Sequence, residues 1–399
     1  MKIAIVNHDD LSIWLFRRGL IRRLVQDGHE VYILCGDGPL VSKIVALGAI
    51  HQRFDLPRLV TPRADLVGVV ALFRLLRRNR YDMVHLFQHK IIVYGAIVAK
   101  LAGIRRIYAS STGIGFIMND FPALKHRLLQ FVLKFLYRVS LPLIDRVLFQ
   151  NIEDRDHFCG LGLIERERTV IVEGSGVDLD AYSCGAVDPT ALRDLEAALG
   201  DTGDRLIVLM VARAVLTKGV REFIAAAEQV ESTMPNRALF VLVGGVEPAN
   251  PEAIDAAELR ASEGAYFHWL GWSDAIVEAL HMSAVVVLPS YREGTPRSLL
   301  EAMAMAKPIV TTDAPGCRNV VEDGRNGFMV PVRDSENLAR AIATLLDDED
   351  LRRQFGKRSY RKVVEQFEES SVAGRIMREL YGFGAAVNDG DGSKRSAAG

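Results

Sequence analysis

Short apolar runs of strand length alternate with amphipathic helical stretches along most of the chain, in two successive series. Ile3–Asn7, Val31–Cys35, Met83–Phe87, Ile107–Ser110, Val147–Gln150 and Thr169–Val172 read as strands. Between them, stretches such as Trp14–Gln26 and Asp65–Arg78 carry apolar residues at helical spacing. Strands apolar on both faces, each followed by a helix, call for a parallel sheet covered on both sides. A polar, helix-prone segment near 183–202 interrupts the pattern. It resumes with Leu206–Val211, Ala238–Val243, Ala265–Leu270, Ala284–Leu288 and Pro308–Thr311. The expected class is α/β: two tandem doubly wound domains, 1–182 and 183–361, facing a cleft at the carboxyl ends of their strands. At 399 residues the chain exceeds the size at which one core stops growing, which agrees with two domains. From residue 383 the chain is small and polar, and disorder is expected there.

Charge is unevenly divided. Residues 1–180 carry 25 Lys and Arg against 18 Asp and Glu, a balance of +7, while the whole chain sums to −1. A basic amino half joined to an acidic remainder suits an anionic membrane surface or a lipid-linked diphosphate better than nucleic acid. The segment from Asp120 to Val139 adds to this: it is apolar with Lys125, Arg127, Lys134 and Arg138 interspersed, a pattern able to lie in a membrane interface. No stretch is long and apolar enough to span a membrane, and the first apolar run is too short for a signal peptide. Cys35, Cys159, Cys184 and Cys317 are scattered, as in a reducing compartment. The expected location is cytoplasmic, peripheral on the inner membrane.

The string Glu293-Gly-Thr-Pro-Arg-Ser-Leu-Leu-Glu301 follows the apolar run Ala284–Leu288. Thr295 is a suitable N-cap and Pro296 a suitable first helical residue. Glu293 then sits in a loop at a strand's carboxyl end, Glu301 about a turn and a half into a helix. Between them the helix N-terminus offers unpaired N–H groups to an anion. A loop acid, an anion cradle and a helix acid suit the sugar, diphosphate and ribose of a sugar nucleotide. Gly244, after another strand run, permits close backbone approach. His89 and Gln88 follow a further strand and are placed to line the cleft.

Pro289-Ser290, Glu293-Gly294, Pro296, Leu300-Glu301-Ala302 and Ala306-Lys307-Pro308-Ile309-Val310 resemble the donor-site signature of glycosyltransferase family 4. That family is retaining and has the two-domain, Rossmann-like GT-B fold. The resemblance is strongest from about 170 to 335. It implies that the last helix, about 362–382, crosses back onto the first domain. It implies that Arg213 and Lys218 neutralise a departing diphosphate, aided by N–H groups near Ser298 and Leu299. It further implies that Glu301 holds ribose, that Glu293 with Gly294 and Thr295 holds the donor sugar, and that the loop with Gly271 contacts the base. Ser111-Thr112-Gly113-Ile114-Gly115 looks like a loop of bacterial surface-polysaccharide members, with Thr112 where many members carry histidine. Asn7-His8-Asp9-Asp10 departs from the family's paired glycines. Asp178-Leu-Asp180 reads as the family's turn after Gly174-Ser-Gly176, and no metal cofactor is expected. The implied reaction is transfer from a nucleotide sugar, with UDP favoured, onto a lipid-linked saccharide for a surface glycan. A sugar-nucleotide epimerase of the same layout and a nicotinamide dehydrogenase are the rivals. The dehydrogenase lacks its Gly-x-Gly-x-x-Gly after the first strand.

Overall fold

The computed structural model describes residues 1–57, 61–111, 113, 124–248 and 250–383. The first half runs β1 (Lys2–Val6), α1 (Asp10–Gln26), β2 (Glu30–Cys35), α2 (Val41–Ala46), β3 (Ile50–Arg53), α3 (Pro62–Asn79), β4 (Met83–Phe87), α4 (His89–Ala102), β5 (Arg106–Ser111), α5 (Leu124–Ser140), β6 (Arg146–Phe149), α6 (Ile152–Gly160) and β7 (Thr169–Ile171). The second begins with α7 (Pro189–Leu199), β8 (Leu206–Val211), α8 (Val220–Thr233), β9 (Ala238–Val243), α9 (Ala256–Ala261), β10 (Phe267–Gly271), α10 (Ile276–Met282) and β11 (Ser283–Leu288). It continues through α11 (Arg297–Ala304), β12 (Ile309–Thr312), α12 (Cys317–Val320), β13 (Gly327–Val330), α13 (Ser335–Asp347), α14 (Glu349–Gln366) and α15 (Glu369–Arg375).

All strand pairs are parallel, in the orders β3-β2-β1-β4-β5-β6-β7 and β10-β9-β8-β11-β12-β13. The order reverses between β1 and β4 in one sheet and between β8 and β11 in the other, and crevices open at such points. The all-buried run of β4, and that of β9, explain the parallel architecture: each strand has helices on both faces. The two-sheet α/β fold expected from the sequence is therefore present.

Local differences have local causes. α1 starts four residues before the expected Trp14, because the Asp9 carboxylate accepts from the Ser12 N–H and Asp10 occupies the first turn. The edge strands β3 and β13 were not expected; each has four residues, and β3 is only partly covered. The last helix, expected at about 362–382, is broken. α14 ends at Gln366, Glu368 is extended, and its side chain caps α15 through the N–H groups of Ser370 and Ser371. α14 packs against α11 in the second half, whereas α15 packs against α1. Val372, Ile376, Met377, Leu380 and Tyr381 join Ile3, Ile5 and Leu24 in one apolar cluster, so the chain's last helical segment completes the first half. A charged cluster pins it: Arg18 Nε lies 2.9 Å and Arg22 Nη1 3.1 Å from the Glu369 carboxylate, and Arg18 Nη2 3.2 Å from Asp178. Gly19 makes room for this, since a Cβ there would come within 2.0 Å of the Glu369 side chain. Thr112, the loop residues 114–123 and the tail 384–399 lie outside the described residues.

Candidate active site

One cleft of about 1050 Å³ lies between the carboxyl ends of the two sheets. Its second-half wall is made by the segments following β8, β9 and β11, which present Arg213, Lys218, Gly244, Glu293, Gly294, Thr295, Ser298 and Glu301. The first half contributes Asn7 after β1, Gln88 and His89 after β4, and Gly113 after β5. Most of the expected site residues therefore converge, although their strands are far apart in sequence.

Lys218 Nζ donates to Glu293 Oε1, and Ser290 Oγ donates to the same oxygen at 2.7 Å. Arg213 reaches Glu247 at 2.6 Å, half exposed at the rim. Both cations thus hold carboxylate partners. Gly244 is required sterically: its φ is +156°, and a Cβ would fall 1.7 Å from the Ala212 carbonyl oxygen.

α11 begins at Arg297, one residue later than expected. Pro296 takes the cap position, and Thr295 Oγ1 donates across the cleft to the Gln150 carbonyl at 3.5 Å instead of capping. The Leu299 N–H is bonded to the Pro296 carbonyl at 3.1 Å, and Leu299 is fully buried. It is therefore not an available donor. The N–H groups of Arg297 and Ser298 precede the helical ladder, and both residues line the cleft. Gly271 is not among the residues lining the cleft; its carbonyl accepts from the Gly244 N–H at 2.7 Å. Trp272, strongly exposed, lines that end instead, while Trp269 is buried and donates to the Gly244 carbonyl.

His89 opens α4 and bonds through Nδ1 to the Tyr137 hydroxyl of α5. Burial lowers its pKa to about 4, so the imidazole is neutral at neutral pH. His85, by contrast, is a core residue, fully buried between Tyr381 and Ser110. Asp178 accepts from the N–H groups of Asp180 and Ala181 and pairs with Arg18, which is the geometry of a turn. Thr112 lies outside the described residues.

Several residues of the site were not signalled by the sequence. Arg297 binds Glu301 at 2.7 Å, donates to the Leu15 carbonyl of α1, and stacks over Phe16. The Tyr182 side chain lies beside the same pair and lines the cleft with it. Asn151, the N-cap of α6, donates through Nδ2 to the carbonyls of Glu293 and Gly294 at 3.2 and 3.1 Å. Arg292 pairs with buried Asp154 at 2.6 Å. Only the cap preference of Asn151 was readable, and it said nothing of the carbonyls 142 residues away.

Two doubly wound sheets that present a lysine–glutamate pair and an open helix N-terminus to a shared cleft define the GT-B class of transferase. Comparison with known proteins agrees. The family models for Glycosyltransferase Family 4 and for Glycosyl transferases group 1 match residues 18–181 and 193–362. The N,N'-diacetylbacillosaminyl-diphospho-undecaprenol alpha-1,3-N-acetylgalactosaminyltransferase of Campylobacter jejuni is 30% identical over 382 residues, spanning 96% of this chain and 98% of that one. The UDP-Gal:alpha-D-GlcNAc-diphosphoundecaprenol alpha-1,3-galactosyltransferase of Escherichia coli is 27% identical over 366 residues, 90% of each chain. Among solved structures, Anabaena HepE in complex with UDP and glucose superposes with a TM-score of 0.76 at 19% identity, covering 96% of this chain and 100% of that one. The chain belongs to the family 4 glycosyltransferases, and it is an enzyme of sugar transfer.

Proposed function

We propose that this glycosyltransferase moves a hexose or N-acetylhexosamine, with retention, from a UDP-sugar onto a saccharide carried by a polyprenyl diphosphate. The observation that carries the reading is the Lys218–Glu293 pair beside the open N-terminus of α11 in the inter-sheet cleft. Full-length similarity to two transferases named for diphospho-undecaprenol substrates supports the acceptor class.

In this reading Lys218, Arg213 and the N–H groups of Arg297 and Ser298 take up charge as the diphosphate departs. Glu301 holds ribose, and Glu293 holds the sugar near the developing oxocarbenium charge. Gly244 lets the nucleotide approach the backbone, and Gly113 and His89 face the sugar from the first half. The acceptor hydroxyl attacks from the face the diphosphate leaves. The C1–O bond to phosphate breaks, the new C1–O bond forms, and the hydroxyl proton passes to a leaving phosphate oxygen. Because side chains and a helix end supply the positive charge, no metal ion is needed.

The test combines UDP- and GDP-sugars with a synthetic polyprenyl-diphosphate saccharide. A UDP-sugar should raise the melting temperature more than its GDP counterpart. The product should carry the donor's anomeric configuration, and transfer should persist in EDTA. An inverted product, an epimer released without transfer, or activity lost in EDTA and restored by manganese overturns the reading.

The reading places the enzyme at the cytoplasmic face of an anionic membrane, and α5 supplies the contact. Leu128, Phe131, Val132, Phe135 and Val139 are exposed along one stripe, flanked by Lys134 and Arg138, while Tyr137 faces the core. An exposed apolar stripe with a cationic border suits a lipid interface. Lys125 and Arg127 are in the same helix, but their side chains lie outside the described residues. Phe131→Ser with Phe135→Ser should abolish flotation with phosphatidylglycerol vesicles. Lys134→Gln and Arg138→Gln should each weaken it by roughly 1 kcal/mol, about fivefold. UDP affinity should be unchanged in both sets. Equal flotation by wild type and the serine variant would exclude α5 as the contact.

A further inference from the structure

Arg17 is a cation of the cleft whose Nε has no hydrogen-bond partner among the described residues. It projects from α1, is only 4% exposed, and lines the cleft beside Phe16, Phe87 and Gln88. Its guanidinium carbon lies 4.0 Å over the centroid of the Phe87 ring. Its Nε is buried without a hydrogen-bond partner, and no carboxylate among the described residues pairs with it. Nearby titratable groups give no counter-charge. His85 is held neutral by burial, and burial pushes the Tyr381 phenol up and keeps it protonated. Desolvation pulls Arg17 down to about 9, which still leaves it cationic at neutral pH.

A second guanidinium, Arg297 of α11, approaches the same wall but is paired with Glu301. Arg297 uses Nε on Glu301 and Nη1 on the Leu15 carbonyl, but its buried Nη2 has no hydrogen-bond partner. The two like charges are close enough to disfavour one another. A buried cation with no carboxylate partner is costly. Such a charge in the wall of a cleft is balanced when an anion with several oxygens enters, and the guanidinium fork matches such oxygens.

We propose that Arg17 forms a second anion subsite on the amino-terminal wall of the cleft, and that it takes the diphosphate of the acceptor. The assignment rests on the acceptor class proposed above. Phosphate oxygens could come from either substrate. The donor's diphosphate already has Lys218, Arg213 and the α11 N–H groups, all on the opposite half. Arg17 stands across from these on α1, where the acceptor half of the cleft begins. The subsite would let the enzyme recognise the diphosphate carrier as well as the sugar on it.

Two measurements test this. First, inorganic pyrophosphate is titrated calorimetrically into protein saturated with UDP. Wild type should bind it, Arg17→Gln should bind about tenfold more weakly or not at all, and Arg17→Lys should fall between. Second, transfer is compared between a diphosphate-linked acceptor and a neutral alkyl glycoside of the same saccharide. The preference for the diphosphate acceptor should shrink by about tenfold or more in Arg17→Gln. Pyrophosphate that competes with UDP assigns Arg17 to the donor and overturns the proposal. So does pyrophosphate binding that is equal in wild type and Arg17→Gln, or an undiminished preference in that variant. Melting curves of both variants establish that they are folded. If wild type transfers to no diphosphate-linked acceptor, the acceptor class falls, while the titration still reports whether the subsite exists.

Discussion

Lys218→Ala is expected to lower kcat/KM by about 10²–10³-fold, the loss that follows removal of one preorganised charge contact in a closed site. The structure adds a second consequence. Lys218 is bound to Glu293, with side-chain exposures of 22% and 11%, so its removal leaves a mostly buried carboxylate served by Ser290 alone. Stability should fall by about 1–2 kcal/mol, less than for a fully buried pair because some solvent reaches the site. Adding Glu293→Gln should restore the melting temperature while activity stays low. Stability and turnover thus separate in the double variant. Arg213→Ala should leave melting unchanged, because its pair with Glu247 is close to half exposed. Lys218→Ala turnover within about threefold of wild type would remove Lys218 from the mechanism.

Glu369→Ala should destabilise the protein by about 3–5 kcal/mol, the cost of stranding a buried ion. Glu369 and Arg18 have side-chain exposures of 5% and 8%, and Glu369 is the shared partner of Arg18 and Arg22. Asp178 alone would remain to offset Arg18. The melting temperature should drop by on the order of 10 °C, measured by calorimetry. Glu369→Gln keeps the shape and part of the hydrogen bonding and should cost less. A melting temperature unchanged in the alanine variant would mean that the apolar cluster alone docks α15.

What the sequence disclosed is what local physics controls. Strands buried on both faces are visible as apolar runs, hence β4, β8 and β9. The four-residue edge strand β3, with no such run, is not visible. The donor string was legible because Glu293, Ser298 and Glu301 lie within one strand–loop–helix unit. Arg297 lies in the same unit and was missed. Its partner Leu15 is 282 residues away, and residue spacing does not encode that contact. Leu299 and Gly271 are near the site in sequence, yet their backbone groups are already engaged. Whether a backbone group is available depends on which carbonyl or N–H already uses it, as Pro296 and Gly244 do here.

The grip of α6 on the donor loop has a consequence for the Glu293 carboxylate. The Asn151 side chain ties down the peptide oxygens of Glu293 and Gly294, and Arg292 in the same loop is anchored to Asp154. These ties cross from one half of the molecule to the other. Moving the two halves apart would break these ties and free the Glu293 loop, so the loop that carries the Glu293 carboxylate is tied to α6 only while the halves meet.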